Sequence, residues 1–122
     1  MAFYEFVIII RQDVSSADVD RIVDDLKGVV DSHKGEVIKT EYWGLRTLAY
    51  EIQNNKKGHY YLLGIKADKS LIDELDRKSK LSESIIRTSI IRVDKISSEP
   101  SPILRAKGSD DDNTIDVTSS RN

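Results

Sequence analysis

There is no cysteine among the 122 residues, which excludes disulfide staples, thiolate nucleophiles, iron–sulfur clusters and cysteine-bearing zinc sites, and permits a reducing compartment. Histidine is nearly absent too. His33 and His59 lie on different elements, without the i, i+4 spacing or flanking carboxylates of a metal site. They read more simply as a helix-terminal cation and a strand residue beside a basic turn. The six glycines are scattered, so no loop cradles phosphate, and no serine has the surroundings of a nucleophile elbow. The longest apolar run, residues 6–10, is closed by Arg11 and is too short for a membrane span or a signal-peptide core. The absences together point away from an enzyme, a cofactor, a metal, a small-molecule substrate or a membrane, and toward a cytoplasmic protein.

What is present, 39% hydrophobic and 33% charged residues, fits one domain of ordinary size with a single core. The net charge of −2 is unevenly spread. Residues 1–33 hold 3 Lys/Arg against 7 Asp/Glu, whereas residues 34–66 hold 6 against 3. Residues 67–96 hold 7 against 6, and residues 97–122 hold 3 against 5. A near-neutral chain with its positive excess in the middle suits a binder that needs a partner or a shaped RNA site, because a free-standing RNA clamp draws on much greater basicity.

Residues 3–11 read as a first strand, aromatic and β-branched with almost continuous apolarity, as in the middle of a sheet. Ser15-x-x-Asp18 resembles a capping box, and Val19, Ile22, Val23, Leu26, Val29 and Val30 then make one stripe of a helix. Gly35 is expected to end that helix in the left-handed conformation, with His33 and Lys34 at its negative end. Residues 36–52 read as a long second strand interrupted near Gly44, residues 54–58 as a turn with lysines at its tip, and residues 59–67 as a third strand. Asp68 or Ser70 can cap a second helix whose stripe is Leu71, Ile72 and Leu75, and residues 85–93 close the domain as a fourth strand. The order βαββαβ implies an α+β, ferredoxin-like fold: a four-stranded antiparallel sheet with two helices on one face and the other face available. The domain is expected to span residues 1–96. Residues 97–122 are expected to form a disordered polar tail, and Asp110, Asp111 and Asp112 there lack the central glycine and terminal glutamate of a calcium loop.

Arg46, Lys56 and Lys57 share the central hairpin with Tyr42, Trp43, Tyr50, Tyr60 and Tyr61, and aromatic faces beside cations are what RNA bases and phosphates require. Strand residues packing a core, with lysines solvated at a turn, would look the same. Alternation places Arg46, Leu48, Tyr50 and Ile52 on one face, without deciding which face meets the helices. Lys57-Gly58-His59-Tyr60-Tyr61-Leu62 partly matches the RNP1 pattern of an RRM, an alternative single-stranded RNA binder with the same strand order, but leaves only Tyr61 as a stacking platform. A small-molecule regulatory domain of the ACT type shares the architecture and gives no reason for the basic aromatic hairpin.

Gly44-x-Arg46-x-Leu48-Ala49-Tyr50-x-Ile52, the opening Tyr4-Glu5-Phe6-Val7-Ile8-Ile9-Ile10, and the closing Ile85-Ile86-Arg87 and Val93-Asp94 resemble the bacterial small-subunit ribosomal protein six family over roughly residues 3–95. The resemblance implies a non-catalytic, ribosome-associated protein that binds the central domain of small-subunit ribosomal RNA as a heterodimer with small-subunit ribosomal protein eighteen. It implies a role at the RNA or partner surface for Arg46, with Leu48 and Ile52 in the core. The family motif often carries a second arginine and a proline where this chain has Thr47 and Glu51. Loss of the arginine removes a phosphate contact, and loss of the proline restores a backbone donor. The RNA or partner surface is thus expected among Trp43, Arg46, Tyr50, Lys56, Lys57, His59 and Tyr61, with Arg87 and Arg92 as further phosphate contacts from the fourth strand.

Overall fold

A computed structural model describes residues 1–97, 100 and 101. The elements run β1 (Ala2–Arg11), α1 (Ser16–Ser32), β2 (Glu36–Ile52), β3 (Asn55–Ala67), α2 (Lys69–Leu81) and β4 (Ile85–Val93). The sheet order is β2-β3-β1-β4, every pairing antiparallel, which is the expected βαββαβ arrangement. Most of the segment expected as a tail, including the aspartates at 110–112, lies outside the described residues.

Both helices start as their sequences dictate. The Ser15 hydroxyl accepts from the Asp18 N–H at 3.2 Å, and the Asp68 carboxylate accepts from the Leu71 N–H at 2.9 Å, so each satisfies a first-turn donor that has no partner inside the helix. Asp68, rather than Ser70, is the second cap; the Ser70 hydroxyl donates to it. The stop of α1 differs from expectation. Lys34 takes the left-handed turn, with φ 64°, and Gly35 serves packing instead: a Cβ there would lie 2.4 Å from the Leu71 Cδ2. The glycine lets the chain entering β2 pass under α2.

Alternation along the central strands divides the apolar residues between two faces. Phe6, Ile8, Ile10, Leu63, Ile65 and Ala67 point to the helices and meet Val19, Val23, Leu26, Val30, Leu71 and Leu75. Val7, Ile9, Tyr60, Leu62 and Ile86 point the other way and form a second buried cluster with Trp43 and Leu48. The face expected to be available is therefore covered, in this single chain, by its own irregular segments. Beyond β4, the chain sets Ile96 over Gly64 and brings the Ser101 N–H to Glu41.

The β2–β3 hairpin also departs from expectation, being longer than its composition suggests. The turn is Gln53-Asn54, both with positive φ (48° and 66°), the signature of a primed two-residue hairpin loop. β3 consequently starts at Asn55, and Lys56 and Lys57 lie along a strand beside the tip rather than on it.

Candidate RNA and partner interface

β2 is an edge strand with two interruptions that shape its surface. At the first, Gly44 takes φ 95° and the register with β3 slips between Tyr42 and Gly44, the bulge expected there. At the second, pairing passes from Thr47↔Lys57 directly to Ile52↔Asn55, so residues 48–51 face Lys56 alone. The surplus chain arches over the second face. Leu48 is buried beneath it, Ile52 packs against the same cluster, and Tyr50 reaches across the sheet to β4. There the Arg87 guanidinium donates to the Tyr50 hydroxyl at 2.5 Å and lies 5.4 Å from the ring centroid. An exposed cation–π contact of this kind contributes roughly 0.5–1 kcal/mol.

The arch is pinned by a residue the sequence did not single out. Asn55, 2% exposed, donates to the carbonyls of Ile52 and Gln53 at 3.3 and 3.0 Å and accepts from the Gln12 N–H at 3.1 Å. The Gln12 side chain returns the contact by accepting from the Lys57 N–H at 3.1 Å. The tip of the hairpin is thereby fastened to the end of β1. No sequence signal marks Gln12; Asn55 was legible only as turn chemistry.

The expected site residues separate into buried and accessible ones. Trp43, 9% exposed, stacks near Tyr60 and donates its indole N–H to Glu41 Oε1 at 2.9 Å. Tyr60 is fully buried. His59, 7% exposed, faces the helix side, its Nε2 donating to the Val14 carbonyl at 3.0 Å, which leaves Nδ1 to accept from the Tyr42 hydroxyl at 2.9 Å. Tyr61 is also on the helix side, 5.6 Å from Tyr42 between ring centroids. Burial first, and then the negative charge of Asp20, raises the pKa of both Tyr42 and Tyr61, which puts this aromatic pair beside the acidic face of α1.

The cations stand elsewhere. Lys56 and Lys57 are exposed, and among the described residues neither has a carboxylate partner. Three of the four cations of α2 are paired within their own helix: Lys69 with Asp73 at 3.0 Å, Arg77 with Glu74 at 2.8 Å, Lys80 with Asp76 at 2.9 Å. Arg46 is half-buried, its Nε donating to the Trp43 carbonyl at 2.6 Å, which holds the base of the arch. Arg87 shares the second face with the arch, whereas Arg92 lines a groove between β4 and α2 with Tyr4, Ile72 and Asp76. Ile38, Tyr42, Leu45 and Tyr50, four of the six large apolar side chains exposed among the described residues, all belong to β2. Their concentration on one edge strand, beside the unpaired lysines, gives a surface with apolar contact area, exposed backbone groups and positive charge together. Among the described residues no three His, Asp or Glu side chains gather as a metal site would require, and no helix is long and apolar enough to cross a membrane.

The family model for ribosomal protein S6 matches residues 3–92. The chain belongs to the ribosomal protein S6 family. The small ribosomal subunit protein bS6 of Rickettsia prowazekii is 58% identical over 118 residues, covering 97% of this chain and 98% of the relative. That of Rickettsia conorii is 57% identical over the same length and coverage. Among solved structures, 30S ribosomal protein S6 from Thermotoga maritima superposes with a TM-score of 0.72 at 28% identity, covering 75% of this chain and 87% of that one. S6 proteins are structural rather than catalytic. Membership makes this a protein of the small ribosomal subunit, ribosome-associated in the bacterial cytoplasm.

Proposed function

We propose that the chain binds the central domain of small-subunit ribosomal RNA as a heterodimer with small-subunit ribosomal protein eighteen, using the β2 edge and the hairpin. The observation that carries this is the coincidence on one strand pair of Ile38, Tyr42, Leu45 and Tyr50 with Lys56 and Lys57. The apolar edge offers a protein partner area to bury, and the lysines offer phosphate two contacts. Arg46 joins them on the side of the arch, with Arg87 beside Tyr50. Trp43 and His59, tied up inside the fold, and the half-buried Tyr61 act by shaping this surface.

Residues 1–96 supply the folded unit in this reading. An RRM-like mode has less support, because Tyr60 is buried and Tyr61 faces the helices, so neither offers a ring for a base on the second face. The near-neutral charge of the domain makes RNA affinity depend on a basic partner. In its own cell the full chain should sediment with small subunits through a high-salt wash. Depletion of protein eighteen should release it to the soluble fraction. Retention on subunits without protein eighteen would refute the heterodimer.

A further inference from the structure

The surroundings of β2 carry opposite charge at its two ends. At the hairpin end the unpaired charges are Lys56 and Lys57, whereas on the helix side, where the strand faces α1, they are negative. Asp20 and Asp24 lie one helical turn apart, are exposed, and take part in no ion pair among the described residues. Asp18 of the same helix, by contrast, is paired with Arg21.

Between these carboxylates and the strand edge lies an aromatic shelf. The register sets Tyr42 opposite Tyr61 and Leu45 opposite His59, so the four side chains share the helix side. Tyr42 and Leu45 are 46% and 45% exposed. The Tyr42 ring is fixed in place, its centroid 5.6 Å from that of Tyr61 and 6.1 Å from that of His59, with its hydroxyl donating to His59 Nδ1 at 2.9 Å. Burial first, and then the charges of Asp20 and Asp24, raise the Tyr61 pKa, so both carboxylates border the shelf. A ring ordered before association loses little freedom on binding, and an aromatic face beside carboxylates attracts a cation.

We propose that this shelf, Tyr42 and Leu45 walled by Asp20 and Asp24, seats a lysine- or arginine-bearing segment of the protein partner and leaves the hairpin lysines to RNA. Resting on the heterodimer reading, this assignment divides the surface between the two partners. A cationic side chain over the Tyr42 ring meets the ring quadrupole and the two carboxylates together. The same carboxylates repel phosphate, so RNA is steered to the other end of the strand.

Calorimetric titration of the full chain with protein eighteen, without RNA, isolates the protein contact. Asp20→Asn with Asp24→Asn should weaken the binary complex by about tenfold and flatten its salt dependence, with the melting of the chain unchanged. Lys56→Ala with Lys57→Ala should leave the binary affinity within about twofold of wild type. An aspartate variant that binds as wild type does would overturn the proposal, and so would a lysine variant that loses as much as the aspartate one. A wild-type chain that forms no binary complex would refute the heterodimer itself, and the shelf assignment with it, a failure distinct from a heterodimer indifferent to Asp20 and Asp24.

Discussion

The two faces of the sheet are alike in composition and different in construction. The helix side is sealed by α1 and α2, regular elements whose apolar stripes meet a full row of Phe, Ile and Leu. The opposite side is sealed by an arch of surplus strand and by one isoleucine beyond β4, over Val7, Ile9, Trp43, Tyr60 and Leu62. A face covered by helices holds its shape because each covering residue is fixed by its neighbours on the same helix. A face covered by irregular segments depends on a few side-chain ties, here Asn55, Glu41 and the Arg87–Tyr50 contact. Such a face can be rebuilt locally, and the hairpin surface inherits that freedom.

Leu62 and Leu63 are adjacent on β3 and point to opposite faces, with exposures of 3% and 0%, so the same truncation made at both compares the faces directly. Leu63→Ala should cost about 3–5 kcal/mol in denaturant unfolding, since the helices cannot close the cavity without moving as bodies. Leu62→Ala should cost about 2–3 kcal/mol, because the arch can settle into the space. Equal costs would mean the second face is as rigid as the first.

A smaller effect is expected from Asn55→Ala, about 1–2 kcal/mol, because the Gln12 N–H and two hairpin carbonyls lose their partner. Amide exchange should quicken at Gln12 and Lys57 and remain slow at Phe6 and Ile65. Quickening throughout the sheet would show that the arch is not a separable part.

Acidification should affect the second face locally. Burial works to raise the Glu41 pKa, but the hydrogen bonds from Ser101 and Trp43 and the Lys39 charge outweigh it, leaving the carboxyl below its ordinary 4.5. A carboxylate depressed in this way contributes stability above its unfolded pKa, and that contribution is lost as pH falls through the lower folded value. Trp43 quenching should therefore be flat from neutrality down to about pH 5 and rise only on further acidification below 4.5. A rise centred near pH 6 would place the transition on another group.

The contrast between the faces also explains what the sequence revealed. The helix stripes, the strand order and the bulge at Gly44 follow from local periodicity and backbone preference, and all are present as read. The tip of the hairpin was misplaced because Asn54, Asn55 and Gly58 all resemble turn residues, whereas the positive φ values fall on Gln53 and Asn54. Neither the burial of His59 against Val14 nor the seat of Ile96 on Gly64 was legible. Each depends on a long-range juxtaposition that no spacing along the chain encodes. For the surface, sequence located the cations and could not tell which aromatics were accessible.

The central claim is that the hairpin edge carries RNA contact while protein eighteen supplies the missing affinity. Its most direct measurement is a gel-shift titration of a central-domain RNA fragment, with and without protein eighteen, at several salt concentrations. The wild-type chain should bind poorly alone and well with the partner. Lys56→Ala with Lys57→Ala should weaken the ternary complex and flatten its salt dependence by roughly one unit of slope or less per lost contact, leaving the circular dichroism and melting of the chain unchanged. Tight binding by the chain alone, with affinity and salt slope untouched by the lysine substitutions, would contradict it.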